Sequence, residues 1–252
     1  MNDIPSFNSY IENTIKDNWL LDALTDYKGT TLQYHDVARK IEKLHIMMEA
    51  AGIQKGDRIA VCGRNSAHWA VAFLATLTYG AVVVPILHEF NDEQIHNIVN
   101  HSESRLLFVG DYIVNVINPD EMPQLEGILN LPDFSLHTCR TDKLMYAREH
   151  LNEMFGHKYP NAFRKEDVHW YKDTAEEMCM INYTSGTTGF SKGVMLPYRA
   201  LWGNVDFCQK NLGDKMPKFS NTLSILPMAH MYGLAIEFLF PFCSGYHLFF
   251  LN

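Results

Sequence analysis

In the first part of the chain, segments with the apolar spacing of helices alternate with segments typical of strands. Apolar positions recur at helical spacing over residues 37–51, and Gly52 supplies a stop signal. Asn65-Ser66 and Asn91 are capping signals, each placed ahead of a further helical pattern. Short, almost wholly apolar runs separate these helices and predict strands buried on both faces: residues 58–62, 81–86 and 106–109.

Strands that alternate with helices imply parallel βαβ units. We therefore predict an α/β fold of doubly wound, mostly parallel sheets flanked by helices. Ligands of such sheets bind in loops at the carboxyl ends of the strands. A functional motif is thus expected directly after a strand.

The pattern weakens over residues 111–173, where four prolines interrupt it. We interpret this stretch as a surface excursion with a helix over about residues 143–155. Regular signals return as a strand at 178–183, a helix through Leu201 that ends near Gly213, and a strand at 222–226.

The last residues, 233–251, are mostly apolar and long enough to raise the question of a membrane span. Glu237 and Pro241 lie inside the stretch, and a carboxylate at mid-bilayer is costly. A buried helix, a turn and a buried strand explain these residues better.

Composition narrows the class of protein. The chain of 252 residues has a formal net charge of -8 and no run of Lys or Arg, which argues against a nucleic-acid binder. Its five cysteines form no CxxC pair, as expected of reduced thiols in a cytosolic protein. The first residues carry no signal-peptide pattern, so we expect a cytoplasmic location.

The strongest chemical signal is the run from Thr184 to Lys192, which follows the predicted strand at 178–183. Glycines let a backbone turn sharply and present N–H groups to an anion, hydroxyls add donors, and a lysine adds positive charge. The predicted phosphate-binding residues are Thr184, Ser185, Gly186, Thr187, Thr188, Gly189 and Lys192. A Walker A loop is the obvious alternative, but Ser191 and Gly193 break its pattern.

The run from Tyr183 to Val194 resembles the signature loop of the adenylate-forming superfamily, which includes acyl-CoA synthetases, firefly luciferase and peptide-synthetase adenylation domains. Three further segments resemble that superfamily: residues 55–65, residues 79–85, and the Pro-x-x-His-x-x-Gly pattern of residues 227–233. The resemblance implies that the chain is the N-terminal part of the large domain of such an enzyme. We expect a first α/β lobe over about residues 1–175, with the excursion 111–173 inside it. A phosphate-loop region and the start of an acyl-pocket region would follow over residues 176–252.

By resemblance, the reaction is ATP-dependent activation of a carboxylic acid, most closely a long-chain fatty acid, to an acyl-adenylate and then to acyl-CoA. ATP, Mg²⁺ and coenzyme A are the implied cofactors and co-substrates. Thr184 and Lys192 match catalytic positions, and Thr184 also matches a magnesium-placing residue. His230, Tyr232 and Gly233 match the substrate pocket.

The family also requires a Tyr-Gly-x-Thr-Glu motif, whose glutamate helps to bind magnesium, and a C-terminal lysine domain, and residues 1–252 contain neither. We therefore expect a fragment that is inactive alone. An aryl-CoA ligase, a peptide-synthetase adenylation domain and a non-catalytic module that binds nucleotide or a partner stay open as alternatives. A chain that ends on a sheet strand is expected to leave an unpaired edge or apolar patch, which leaves homodimerisation open. Peripheral contact with the inner face of the membrane is left open as well.

Overall fold

The structure, a computed structural model, describes residues 5–184 and 192–251. Its helices are α1 Phe7–Asp17, α2 Tyr34–Ala51, α3 Ala67–Tyr79, α4 Asp92–His101, α5 Asp111–Val114, α6 Asp142–Glu149, α7 Leu151–Lys158, α8 Tyr198–Leu212 and α9 Phe240–Cys243, with a π-helix at Gly233–Leu239. Its strands are β1 Asp22–Asp26, β2 Thr31–Gln33, β3 Arg58–Cys62, β4 Val82–Ile86, β5 Leu106–Val109, β6 Gly127–Asn130, β7 Leu136–Cys139, β8 Met178–Thr184, β9 Lys192–Pro197, β10 Asn221–Ser224 and β11 His247–Phe250.

Seven of these strands form one sheet in the order β7-β6-β5-β3-β4-β8-β9. The five inner strands are parallel, and the two edge strands β7 and β9 are antiparallel to their neighbours. Successive residues of β3 pack on opposite faces of the sheet. Ile59 and Val61 pack with α2 and α3, whereas Ala60 and Cys62 pack with α4. Helices thus cover both faces, and the predicted α/β doubly wound fold is confirmed.

The helix ends follow from the capping residues that the sequence contains. The Ser66 hydroxyl accepts a hydrogen bond from the Trp69 N–H at the start of α3. Asn91 and Gln94 form a reciprocal capping box at the start of α4. Gly52 ends α2 in the left-handed conformation that glycine adopts without a steric cost. Local signals therefore suffice to set this part of the fold.

A second sheet of four strands, in the order β10-β11-β1-β2, draws its strands from both ends of the described chain. The seven-stranded sheet likewise contains strands from both sides of residue 175. Helix α3 contacts β3 and β4 of the larger sheet and β1 of the smaller one. The two sheets therefore do not separate at residue 175, where the first lobe was expected to end.

The last strand, β11, pairs in parallel with β1 on one side and with β10 on the other. The last strand is not itself an unpaired edge, because β11 lies inside its sheet, and the edge strands of that sheet among the described residues are β10 and β2. Residues 233–251 form the predicted helix, turn and strand. Among the described residues, none of the helices is long and apolar enough to cross a membrane.

Residues 111–173 were interpreted as a surface excursion, but their middle part forms two strands of the larger sheet, β6 and β7. Strand β6 pairs in parallel with β5, and Ile128 and Leu129 on it are fully buried. The sheet therefore continues through this stretch to β7. The single helix expected over residues 143–155 is two helices, α6 and α7, which meet at His150.

Candidate functional site

Strands β8 and β9 form an antiparallel hairpin whose last pair is Thr184 and Lys192. Residues directly opposite in such a ladder carry their side chains on the same face. Both side chains are exposed, so a hydroxyl and an ammonium group stand side by side where the chain leaves the sheet. The other predicted phosphate-binding residues, Ser185, Gly186, Thr187, Thr188 and Gly189, lie outside the described residues.

Gly193, where a Walker A loop requires Ser or Thr, has a packing role in this hairpin. A Cβ atom added to it would lie 2.9 Å from Ile181 Cγ2 and 3.0 Å from Tyr183 Cζ. Glycine therefore lets β9 lie close against the side chains of β8. The Tyr183 hydroxyl is itself bonded to His101 Nδ1 at 2.7 Å, which ties the hairpin to the end of α4.

The hairpin lies at the carboxyl edge of the larger sheet, because β8 runs parallel to β4 and ends at Thr184. Ligands of doubly wound sheets bind at this edge. Lys192 begins β9, a strand that the sequence pattern did not predict. Val194 and Met195 of β9 are exposed, and an edge strand of this kind lacks the apolar run that marks a buried one.

The Pro-x-x-His-x-x-Gly segment forms a turn that leads into the π-helix. The His230 N–H donates to the Pro227 carbonyl at 2.9 Å, and the Leu234 N–H donates to the His230 carbonyl at 2.9 Å. A Cβ atom on Gly233 would lie 2.4 Å from the Pro227 carbonyl oxygen. The spacing of Pro227 and Gly233 therefore reflects direct backbone packing, which leaves His230 at the outer corner of the turn.

His230 and Tyr232 are both exposed, whereas Gly233 is buried. The Tyr232 N–H donates to His230 Nδ1 at 3.3 Å. Because Nδ1 accepts this bond, the neutral ring carries its proton on Nε2. His230 can therefore present a hydrogen-bond donor to a ligand at the surface of the turn.

Two asparagine side chains bind this turn to the larger sheet. Asn65, in the loop after β3, accepts from the Met228 N–H at 2.8 Å and donates to the Leu226 carbonyl at 2.7 Å. Asn182 of β8 donates to the Ala229 carbonyl at 3.0 Å. Ala229, which precedes His230, is thus hydrogen-bonded to Asn182, which lies two positions before Thr184.

The structure therefore joins the two segments that the sequence singled out. Asn182 and Thr184 are two residues apart on β8, so their side chains lie on the same face of the sheet. Lys192 shares that face because it is paired with Thr184. The backbone of the His230 turn is thus bonded to the face of β8 that carries Thr184 and, across the ladder, Lys192.

The profile of the family described as AMP-binding enzyme matches residues 16–252. The chain belongs to the AMP-binding enzyme family. The match to this family includes both the β8–β9 hairpin and the turn that holds His230.

Curated relatives of this AMP-binding chain include ligases of fatty acids. It is 21% identical over 235 residues to a long-chain-fatty-acid–CoA ligase of Bacillus subtilis (strain 168), covering 88% of this chain and 42% of that protein. It is 27% identical over 208 residues to long chain acyl-CoA synthetase 1 of Arabidopsis thaliana, covering 79% of this chain and 30% of that protein. The chain thus spans less than half the length of both relatives.

A solved structure with the same architecture is the natural red-emitting luciferase of Phrixothrix hirtus. The TM-score is 0.81 at 17% sequence identity, over 100% of this chain and 47% of the luciferase. At this identity the likeness shows the fold that the AMP-binding chain shares with the luciferase.

Three residues that hold the site together were missed by the sequence analysis: Asn65, Asn182 and Glu237. Glu237 Oε2 accepts from the Ile225 and Leu226 N–H groups at 2.7 and 2.8 Å. These bonds also explain why β10 ends at Ser224 and not near residue 226 as predicted, since the next two N–H groups bind a side chain and not a strand. The available signals were two polar residues in apolar surroundings, Asn182 in its strand and Glu237 in the stretch 233–251.

The described residues contain no group of three or more His, Cys, Asp or Glu side chains that could hold a metal ion. The exposed Thr184 hydroxyl is an oxygen ligand of the kind that Mg²⁺ takes. Mg²⁺ commonly keeps several waters and binds substrate phosphates with only one or two protein ligands. Thr184 therefore fits the role of a minor ligand beside phosphate oxygens.

Proposed function

We propose that this chain supplies the phosphate-binding and acyl-binding face of an enzyme that activates a long-chain fatty acid with ATP and transfers the acyl group to coenzyme A. The observation that carries the proposal is the pairing of Thr184 with Lys192 at the carboxyl edge, with the His230 turn bonded to the same strand.

The chemical difficulty of acid activation is charge. A carboxylate oxygen attacks the α-phosphorus of ATP, and the bond from that phosphorus to the oxygen bridging to the β-phosphorus breaks. Pyrophosphate leaves with the electron pair of that bond. Because both reactants are anions, catalysis consists largely of positioning and of stabilising the charge on the leaving group.

Lys192 is the described residue best suited to stabilise that charge. Its ammonium group is exposed at the start of β9, on a flexible stem beside Thr184. We assign it to the β- and γ-phosphates, together with the hydroxyl and backbone N–H groups of residues 184–189. Thr184 would place Mg²⁺, which neutralises phosphate charge when it is bound.

His230 would line the acyl pocket beside the adenylate. Its exposed ring offers Nε2–H as a donor, since Nδ1 accepts from Tyr232. Tyr232 is 56% exposed on the same turn and would provide apolar surface for the acyl chain. Gly233 contributes through packing, because any side chain there would displace the turn.

The fatty-acid substrate and coenzyme A rest on likeness to the two curated ligases. An aryl-CoA ligase and a peptide-synthetase adenylation domain share the adenylation step and differ in the acid they take. We also propose that residues 1–252 alone do not turn over, because the glutamate motif and the lysine domain that the family uses are not in this sequence.

The proposal is tested on the complete protein that contains this chain, supplied with ATP, Mg²⁺, coenzyme A and a panel of acids. We expect mass spectrometry to detect acyl-CoA with C14–C18 fatty acids and little product with benzoic, cinnamic or amino acids. An aryl-CoA product, or an aminoacyl-adenylate without a CoA product, would establish one of the two alternatives. Absence of AMP release with every acid would leave only the non-catalytic module.

A further inference from the structure

One backbone segment near the site is held mainly by side chains. Residues 225–229 follow β10 and precede His230. Their N–H and carbonyl groups bind Glu237, Asn65 and Asn182, which come from three separate elements. Within residues 5–184 and 192–251 the segment has no strand partner at these groups, so its position depends on the side chains that bind it.

Of these three side chains, Asn182 binds the backbone nearest to His230. It is 6% exposed and lies in a strand whose other inner residues, Met180 and Tyr183 among them, are apolar or aromatic. A buried amide in such a strand is costly unless it is hydrogen-bonded. Its Nδ2 donates to the carbonyl of Ala229, which is 5% exposed and would otherwise face a dry interior.

The bond connects two functional residues through very short paths. Ala229 is covalently joined to His230, and Asn182 is two residues before Thr184 on the same face of β8. Asn65 fixes the earlier part of the segment, at Leu226 and Met228, from the loop after β3. Loss of Asn182 would therefore free the His230 end of the segment while Asn65 continues to hold its beginning.

We propose that Asn182 is a positioning residue that sets His230 relative to the phosphate-binding hairpin. The inference rests on the proposed function of that site. Asn182 touches neither ATP nor acid in this account and acts through the Ala229 peptide group. Its removal should lower kcat for adenylate formation and leave the KM for ATP nearly unchanged, because Thr184 and Lys192 stay paired.

The test compares three variants of the complete protein. Asn182→Ala removes the amide, and Asn182→Asp keeps its shape but replaces the donor with a carboxylate, which repels the Ala229 carbonyl. Asn8→Ala is the matched control, since Asn8 is a buried asparagine too and donates through Nδ2 to a carbonyl, that of Leu77, at 3.1 Å. Each variant is measured for fatty-acid-dependent ATP–pyrophosphate exchange and for amide hydrogen exchange at residues 228–231.

We expect both Asn182 variants to lose about 10- to 100-fold in kcat, the range that a displacement of about 1 Å produces. Their amides at 228–231 should exchange faster, and Asn8→Ala should keep the wild-type kcat and the wild-type exchange at these amides. Wild-type kcat in Asn182→Asp, or unchanged hydrogen exchange at 228–231, would overturn the inference. If the wild-type protein shows no acid-dependent exchange, the proposed function fails, and hydrogen exchange separately decides whether Asn182 holds the segment.

Discussion

Thr184 and Lys192 face each other across the last pair of the β8–β9 ladder, with both side chains exposed on one face of the sheet. The first and last residues of the run from Thr184 to Lys192 are therefore neighbours in space. Strand β8 ends at residue 184 and β9 begins at residue 192, so the run that the sequence predicts to bind phosphate connects the two strands of a hairpin. The hydroxyl and the ammonium group are therefore held together by the sheet, whichever ligand binds.

Gly233→Ala should destabilise the protein. The added Cβ would lie 2.4 Å from the Pro227 carbonyl oxygen and 2.9 Å from that of Leu226, and backbone atoms cannot move aside cheaply. We expect a loss of about 1–3 kcal/mol in the free energy of unfolding, the usual cost of overpacking. Urea denaturation measures this loss.

The matched control for this change is Gly203→Ala in α8, where an added Cβ meets nothing within 4 Å. That variant should be more stable by about 0.5–1 kcal/mol, because alanine is the better helix residue. Equal effects of the two substitutions would contradict the packing role of Gly233.

Glu42→Ala should also destabilise the protein, through a buried polar network. The Glu42 carboxylate is 3% exposed and accepts from Lys158 Nζ and the Tyr159 hydroxyl at 2.8 Å and from Trp170 Nε1 at 3.3 Å. Burial raises its pKa, but the hydrogen bonds and the charge of Lys158 outweigh burial, and the pKa is lowered overall. Removal of the carboxylate leaves buried donors unpaired, which should cost about 3 kcal/mol.

The control for Glu42 is Glu176→Ala, because Glu176 is a largely exposed glutamate that pairs with Arg199 at 2.9 Å, and its loss should cost less than about 1 kcal/mol. Since the folded pKa of Glu42 is depressed, its stabilising effect is present above the unfolded pKa, about 4.3–4.5. The effect is lost as pH falls through the lower folded pKa. A wild-type advantage over Glu42→Ala that persists undiminished at pH 3 would contradict this account.

His45 should make the stability of the protein fall in mild acid. Burial lowers its pKa to about 4, despite the opposing charge of Glu42, and its Nε2 is bonded to the Ala75 carbonyl at 2.9 Å. Between pH 6.5 and about 4 the unfolded chain binds a proton that the folded protein does not. The free energy of unfolding should therefore decrease by about 3 kcal/mol across that window from this group alone.

The measurement is urea denaturation at several pH values between 7 and 4, for the wild type and His45→Gln. Glutamine keeps a donor near Ala75 but does not titrate, so the variant should lose part of the pH dependence. Parallel curves for the two proteins would contradict a lowered pKa of His45 in the folded state.

The sequence predicts best those parts of the fold that local signals specify. Strands β3 and β5 lie where their apolar runs predicted, and α3 begins and ends at the capping residues Ser66 and Gly80. Strands β1, β2, β6, β7 and β9 were missed. They are three to six residues long and only partly apolar, so the local pattern is weak. Strand β1 also depends on β11, a partner from the other end of the described chain, which no local pattern reports.

Some residues of the candidate site could likewise be found from the sequence, and others could not. Thr184, Lys192 and His230 lie in motifs that can be recognised from residue type and spacing alone, and the phosphate and acyl roles assigned to them stay predictions. Asn65 and Glu237 carry no such signature, since each binds backbone groups of a segment more than ten residues away. Side chains that position a loop are therefore found only when the fold is known.

The central claim is that Lys192 stabilises the pyrophosphate that leaves when a fatty acid is activated. The most direct measurement is fatty-acid-dependent ATP–pyrophosphate exchange by the complete protein, its Lys192→Ala variant and a Lys210→Ala control. Lys210 is an exposed lysine of α8 that pairs with Asp206 at 2.7 Å. We predict exchange by the wild type, an exchange rate lower by about tenfold or more in Lys192→Ala, as is typical when a charge-stabilising group is lost, and normal exchange in Lys210→Ala. Equal exchange by Lys192→Ala and the wild type, or no acid-dependent exchange by the wild type, would contradict the claim.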